Sequence, residues 1–408
     1  MNRYRTGEAL VFSVATVLIL VHALDDAFLH RGPGLGISQH ALAGGISAAA
    51  CVAAVLAFPS LRPGLRSALA FAFGGLACVN GVFHLAHVVD YGPAGSDLTG
   101  VLAVGAGVLL LGLAVAIPWR HRGEGTARSR VVAVPAALVA AIFVLGPVGL
   151  GIIETHKWRE PIGASPGAAY QDVAFQATDG LDLAGWYRPS QNGAAVLLVH
   201  GGGSDRTGAV AHAKMLVRHG YGVLLYDARG RGESDGAPNN YGWDWGKDVA
   251  GALSFLERRD DVEPDRIGAL GLSTGADVLI EVAAKRKDLG AVVTDGAAAG
   301  SFEDWHRLRG TEIGLPVGWV MFTTMRVLSG DPPGPPLEDL IARSQTPTLL
   351  ISAGATEERE FNVLYEKAAR GRVEHWNLPE AHHTAAIREE RAQYERRVVG
   401  FLDEALRR

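Results

Sequence analysis

The chain has 408 residues, with 38 Lys and Arg against 43 Asp and Glu, for a net charge of −5. No basic excess is present, so the balance argues against nucleic acid as a partner. Two cysteines rule out a disulfide framework, and the mean hydropathy of +0.14 averages an apolar front with a soluble remainder.

The front is residues 1–155. Apolar segments run Ala9–Leu29, Ala41–Phe58, Ser67–Val89, Leu98–Ile117 and Val131–Ile153. Each is close to the roughly 20 residues that cross a bilayer as a helix. The expectation is a transmembrane domain of five spans. A cleaved signal peptide competes for the first segment, because Val21-His22-Ala23 faintly resembles a cleavage site, but the further spans weigh against it. Arg3, Arg5, Arg62, Arg66, Arg120, Arg122, Arg128 and Arg130 fall at the N-terminus and in the even-numbered gaps, with Arg31 alone in an odd one. Positive residues stay on the cytoplasmic side. Five crossings from an inside N-terminus place everything after the last span outside the cytoplasm. Cys51 and Cys78 both sit within spans, so the expected external part carries no thiol.

Two spans carry polar groups that a bilayer disfavours. The first holds His22, Asp25, Asp26 and His30; the third holds Asn80, His84, His87 and Asp90. His22, Asp26 and His30 are four apart and share a helix face. Ionisable groups at membrane depth are costly and mark function more often than not. His22, Asp26, His84 and His87 are therefore candidates for a Zn²⁺ or proton-sharing site, since His and carboxylate ligate zinc. Hydrogen bonding among themselves, at the headgroup level, explains the same residues without a metal.

Ser165–Ala168 is a short Pro/Gly/Ala connector, and residues 165–408 read as a second domain. Tyr170–Ala177 and Leu181–Tyr187 alternate around Thr178-Asp179-Gly180, which predicts an antiparallel hairpin. Apolar runs follow at Ala195–Val199, Gly222–Tyr226, Arg266–Leu270, Ala291–Thr294 and Thr348–Ser352. Helix-like stretches separate them at Ala209–His219, Lys247–Arg258, Ala276–Lys285 and Glu358–Arg370. Buried strands alternating with helices predict a mostly parallel sheet covered on both faces. Between Gly300 and Gln345 lies an insertion with Trp305, Trp319, Met321, Phe322 and Met325, expected as a short cap around 300–345. Its aromatics and methionines suit an apolar acyl group, membrane contact, or simply the cap's own core.

Within this series sit His200-Gly201-Gly202-Gly203, Asp227-Ala228-Arg229-Gly230-Arg231-Gly232-Glu233-Ser234, Gly271-Leu272-Ser273-Thr274-Gly275 and a late His. In this order the motifs resemble the α/β-hydrolase superfamily of serine hydrolases, over roughly residues 165–408. Gly-x-Ser-x-Gly on a strand-to-helix turn is its nucleophile elbow, so the resemblance makes Ser273 the nucleophile. It also implies a partner order of serine, acid, histidine. Aligning its usual Gly-x-Gly-His on Pro379-Glu380-Ala381-His382-His383 puts the base at His383, with His382 a solvated neighbour; His306 and His375 come too early. The acid belongs after Thr348–Ser352, where this chain has no Asp. Glu357 fits the spacing best, Glu358 is next, Glu360 is on the following helix, and Asp295 is an alternative from the preceding strand. The oxyanion hole is expected from the amides of Gly202, or of Gly201 or Gly203, and of Thr274. The Asp227–Gly230 motif is expected to order loops, and Asp277 to be a helix-surface charge, with contact to the pocket floor as the alternative.

These readings describe a multi-pass membrane protein with an extracytoplasmic serine hydrolase acting on a small-molecule or lipid ester or thioester. The chemistry is acyl transfer, which requires no cofactor. An envelope-lipid acyltransferase differs only in the final acceptor. A non-catalytic sensor or transport-associated protein, using the fold as a binding module, is the reading from another class.

Overall fold

The computed structural model describes residues 3–31, 33–121, 141–155, 159, 161–309, 314–354 and 356–406. The chain divides into two compact units. The first comprises Met1–Trp158 with Ile313–Gly330, and the second Arg159–Glu312 with Asp331–Arg408.

The first unit is helical: α1 (Arg3–Leu24), α2 (Ile37–Ala57), α3 (Pro63–Tyr91), α4 (Asp97–Arg120) and α5 (Gly146–Thr155). Four segments, Thr6–Leu29, Ala41–Ser60, Pro63–Tyr91 and Asp97–Arg120, are long and apolar enough to cross a membrane. Of the fifth expected span, residues 131–140 lie outside the described residues. The rest forms a π-helical turn (Ala141–Leu145) and α5. Helices α3 and α4 approach closely through small residues. A β-carbon on Gly74 would come within 2.8 Å of Gly107 O, and one on Gly81 within 2.8 Å of Gly100 O. Small residues at such spacing let helices pack backbone to backbone without a hydrophobic driving force. Phe12 of α1 and Phe58, just past the end of α2, are both fully buried and stack at 4.0 Å.

The polar residues of the first and third spans meet at one end of the unit, but not as a ligand set. His22 bonds Asn80 (2.8 Å) and Thr99 (3.2 Å), and Asp26 accepts from Ser96 (3.0 Å). His84 and His87 share Asp97 at 3.0 and 2.7 Å, while Asp25 takes His30 and Thr99. Among the described residues no group of three or more His, Cys, Asp or Glu is placed to hold a metal ion. The zinc grouping of His22, Asp26, His84 and His87 is thus not assembled. Each group instead satisfies a neighbour, as a buried polar side chain must. Ser96, Asp97 and Thr99 are the partners that the sequence did not single out, whereas Asn80 was already among the polar groups of the third span.

The second unit is built on an eight-stranded sheet of order β1-β2-β4-β3-β5-β6-β7-β8. Its strands are β1 (Gln171–Gln176), β2 (Asp182–Arg188), β3 (Ala195–Val199), β4 (Gly222–Tyr226), β5 (Ile267–Leu272), β6 (Ala291–Asp295), β7 (Thr348–Ala353) and β8 (Val373–Leu378). The β1–β2 and β2–β4 pairs are antiparallel; all pairs from β4 through β3 to β8 are parallel. Every residue of β3 to β7 is buried, because helices cover both faces. One face packs on α6 (Val210–Arg218) and α14 (Arg391–Leu406), the other on α7 (Trp245–Glu257) and α8 (Thr274–Lys285). This is the α/β-hydrolase fold. The expected hairpin is β1–β2, and Val373–Leu378 is the edge strand β8.

The segment expected as a cap is divided between the units. Helices α9 (Phe302–Arg309) and α11 (Leu337–Ile341) belong to the second, while α10 (Gly314–Ser329) belongs to the first. Two helices complete the second unit: α12 (Thr356–Ala368) after β7, and α13 (Ala386–Glu389) before α14.

Candidate active site

Ser273 stands between β5 and α8 with φ 52° and ψ −121°. A non-glycine residue held at positive φ costs free energy that the surroundings must offset, and such strain concentrates at functional turns. The surroundings pack tightly against this turn. A β-carbon on Gly275 would meet His200 O within 2.7 Å, and one on Gly271 would meet Ala276 N within 2.7 Å. Both glycines are therefore needed for the close approach. Ser273 N–H donates to Asp295 O at 2.8 Å, tying the turn to the end of β6, and Ala276 N–H donates to Ser273 O at 2.7 Å as α8 begins.

The glycine loop after β3 lies against this turn. A β-carbon on Gly201 would sit 3.3 Å from Ser273 Cβ and 3.9 Å from its Oγ. One on Gly202 would sit 2.7 Å from Thr274 Oγ1. The structure thus brings Gly202 and Thr274 together beside the serine. Thr274 Oγ1 donates to Asn240 O (2.7 Å), which holds the pair from a third loop. His200 fixes the glycine loop from below. Its Nε2 accepts from Ala228 N–H (3.0 Å), so its Nδ1 carries the proton and donates to Gly201 O (2.8 Å). Burial holds this imidazole below its ordinary pKa, consistent with a neutral ring.

His383 lies in the loop between β8 and α13. Its Nδ1 is 2.6 Å from Glu358 Oε2, and Glu358 Oε1 accepts the Ala353 N–H at 2.7 Å. An ionised carboxylate only accepts, so Nδ1 donates and Nε2 keeps its lone pair. The Glu358 carboxylate raises the His383 pKa above its ordinary value, against partial burial. Gly296, the residue after Asp295, faces this ring. A β-carbon there would lie 2.6 Å from His383 Cε1, so the imidazole sits beside the strand end that anchors Ser273.

The carboxylate that faces His383 is Glu358, not the expected Glu357. Glu357 pairs with Arg309 (3.1 Å) and is about a third exposed, whereas Glu358 is buried and faces His383. Consecutive helical residues point about 100° apart, so at the first turn of α12 only one of the two can face inward. Asp295, the alternative acid, is buried and accepts from Tyr394 Oη (2.8 Å) rather than from His383. Burial pushes its carboxyl up to about 7. His382 is largely exposed and pairs with Glu389. Asp277 is not a surface charge. It is buried, accepts Ala298 N–H (2.8 Å), and burial pushes its carboxyl well above the usual range. It lines a small cleft with Tyr241, Trp243, Gly334, Pro335 and Leu337.

The Asp227–Gly230 motif braces the loops. Asp227 accepts from Arg206 through its backbone N–H (2.9 Å), Nε (3.0 Å) and Nη2 (2.8 Å), and from Glu233 N–H (2.9 Å). Arg229 forks between Asp248 and Asp179. All but Glu233 and Asp179 are buried, and such charges persist only when fully paired.

Comparison with known proteins places these residues in a family context. A family model described as X-Pro dipeptidyl-peptidase (S15 family) matches residues 165–392. A Mycobacterium tuberculosis protein is 36% identical over 129 residues, covering 31% of this chain and 45% of its own. The Escherichia coli protein YfhR is 30% identical over 145 residues, covering 34% of this chain and 50% of its own. The chain thus spans about half the length of these curated relatives. Among solved structures, an esterase of Pyrococcus furiosus superposes with a TM-score of 0.49 at 23% identity, over 61% of this chain and 98% of the esterase.

Proposed function

Since the chain belongs to the X-Pro dipeptidyl-peptidase (S15) family, we propose that its second unit is a serine hydrolase, tethered to the membrane by the first unit, that cleaves an ester or thioester by acyl transfer. The observation that carries this reading is the buried Glu358 bonded to His383 beside the strained Ser273 turn. Ser273 Oγ attacks the acyl carbonyl as His383 Nε2 takes its proton. Glu358 holds the ring in the required tautomer and stabilises the imidazolium. The Gly202 and Thr274 amides receive the developing oxyanion. His383 then returns the proton to the leaving group, and water activated by the same imidazole releases the acid from Ser273.

The arginine asymmetry of the front segments supports an extracytoplasmic hydrolase. Transfer of the acyl group to an envelope lipid instead of water uses the same first half-reaction. The family description carries a second reading, cleavage after an Xaa-Pro pair. Turnover of short p-nitrophenyl esters beside an Xaa-Pro p-nitroanilide separates the two. We expect ester turnover that Ser273→Ala lowers on the order of 10⁶-fold in kcat. Ester turnover unchanged in Ser273→Ala would remove the mechanism, and anilide turnover alone would favour the peptidase.

A further inference from the structure

Helix α10 is inserted within the hydrolase sequence, between α9 and α11, yet it packs as part of the first unit. Its partner there is α5. A β-carbon on Gly151 of α5 would meet Thr324 Cβ at 2.8 Å and Met321 O at 3.0 Å, so the two helices touch almost backbone to backbone. Pro147, Gly151 and Thr155, four residues apart, are all buried on α5. Small residues repeating at that spacing are how helices pack inside bilayers. On α10 the buried side chains are Phe322, Met325 and Ser329, and the exposed ones are Pro316, Trp319, Thr323 and Arg326. The exposed stripe therefore carries an indole, 57% exposed, and a guanidinium two turns further on.

Two facts say what covers that stripe. Among the described residues, every exposed large hydrophobic side chain belongs to the first unit, and Trp319 is one of them. Trp319 thus joins the exposed apolar side chains that α1 to α4 present, in a stripe that also carries Thr323 and Arg326. The second fact is covalent. The chain reaches α10 from the hydrolase unit and returns to it at Asp331, so the insertion makes an even number of membrane crossings. Sixteen residues rise about 24 Å as a helix, short of the roughly 30 Å hydrocarbon core. One such helix cannot cross twice, which leaves zero crossings.

We propose that α10 is an interfacial membrane helix: it lies within one leaflet, with Trp319 and Thr323 facing lipid near the headgroups and Arg326 reaching to them. Trp and Arg are suited to that depth, the first by its amphipathic ring and the second by its long stem. A helix lying in the plane of the interface sits roughly 5–10 Å into the boundary between headgroups and acyl chains. The occupant of the face is thus phospholipid, and the hydrolase is held to the bilayer at two separate points of its sequence. The inference rests on reading α1 to α4 as membrane spans.

The experiment keeps the two apart. In full-length protein with Cys51→Ala and Cys78→Ala, single cysteines are placed at Trp319, Thr323, Leu109 and Lys287, labelled with an environment-sensitive fluorophore, and reconstituted in phosphatidylcholine–phosphatidylglycerol vesicles. Leu109 is an exposed residue in the middle of α4, and Lys287 is exposed on the hydrolase unit. Variants are used only where ester turnover matches the parent. Quenching is read with a nitroxide near the headgroup, a nitroxide at the acyl-chain end, and aqueous iodide. The proposal predicts that Trp319→Cys or Thr323→Cys responds most to the headgroup nitroxide, Leu109→Cys to the chain-end one, and Lys287→Cys to iodide. Labels at 319 and 323 that respond only to iodide, while 109 responds to lipid, overturn the proposal and leave the spans standing. A chain-end response at 319 and 323 overturns the interfacial placement. Iodide quenching at all four positions overturns both readings.

Discussion

Replacing Glu358 with Gln isolates the contribution of the acid. In the native site Glu358 Oε1 accepts the Ala353 N–H and Oε2 accepts from His383 Nδ1, so both oxygens act as acceptors. An amide has one oxygen. If that oxygen keeps the buried Ala353 N–H satisfied, the NH₂ group faces His383 and requires Nδ1 as an acceptor. The ring then carries its proton on Nε2 and cannot take one from Ser273. Loss of the correct tautomer in such a triad costs about 10⁴ in kcat, or ~5 kcal/mol of transition-state stabilisation. The control is Glu357→Gln, one residue away, whose partly exposed pair with Arg309 is worth about 0–1 kcal/mol of stability and touches no part of the site. The assay is kcat/KM for a short p-nitrophenyl ester across pH, with circular dichroism to verify folding. A second readout follows from the sign of the pKa shift. His383 acts as a base only when neutral, so activity falls as pH drops through its pKa, which Glu358 raises. Without that carboxylate the acid limb of the residual activity moves to lower pH. Equal losses in Glu357→Gln and Glu358→Gln, or a Glu358→Gln enzyme with near-native turnover, would refute this reasoning.

Two further outcomes are expected. Gly202→Ala places a methyl group 2.7 Å from Thr274 Oγ1 and against Asn240 O, so it displaces the amide proposed to receive the oxyanion; kcat should fall about 10²- to 10³-fold with KM little changed. A large rise in KM alone would make Gly202 a binding residue. An alkaline phosphatase reporter fused after Arg408 should be active, because that enzyme folds only outside the cytoplasm; an inactive phosphatase beside an active cytoplasmic reporter would reverse the orientation read from the arginines.

The elements that sequence made readable were those with a local physical signature. The fully apolar strand runs could only be buried, and Ser273 was marked by glycines that a sharp turn requires. His383 was reachable because its loop precedes the last long helix. The choice between Glu357 and Glu358 was not, since it depends on the angle at which α12 leaves β7 and on Ala353 N–H needing an acceptor. Asp277 looked like a surface charge because its helix is amphipathic, and only the fold shows that its position faces inward onto Ala298. Of the partners of His22, His84 and His87, Asn80 was in view on α3, but Asp97 and Thr99 come from α4, and nothing local in the sequence ties them to those histidines. The insertion between α9 and α11 carried its message in Trp319 and the methionines, but composition could not say which unit α10 packs on.

The proposed mechanism depends above all on Ser273 being an activated acyl acceptor. Full-length protein treated with a fluorophosphonate and digested for peptide mass analysis tests it most directly, because the reagent labels a serine only where an adjacent base has activated it. One adduct per chain is expected, on Ser273, and it should be abolished in His383→Ala. An unlabelled native protein, or an adduct on another residue that survives His383→Ala, would contradict it.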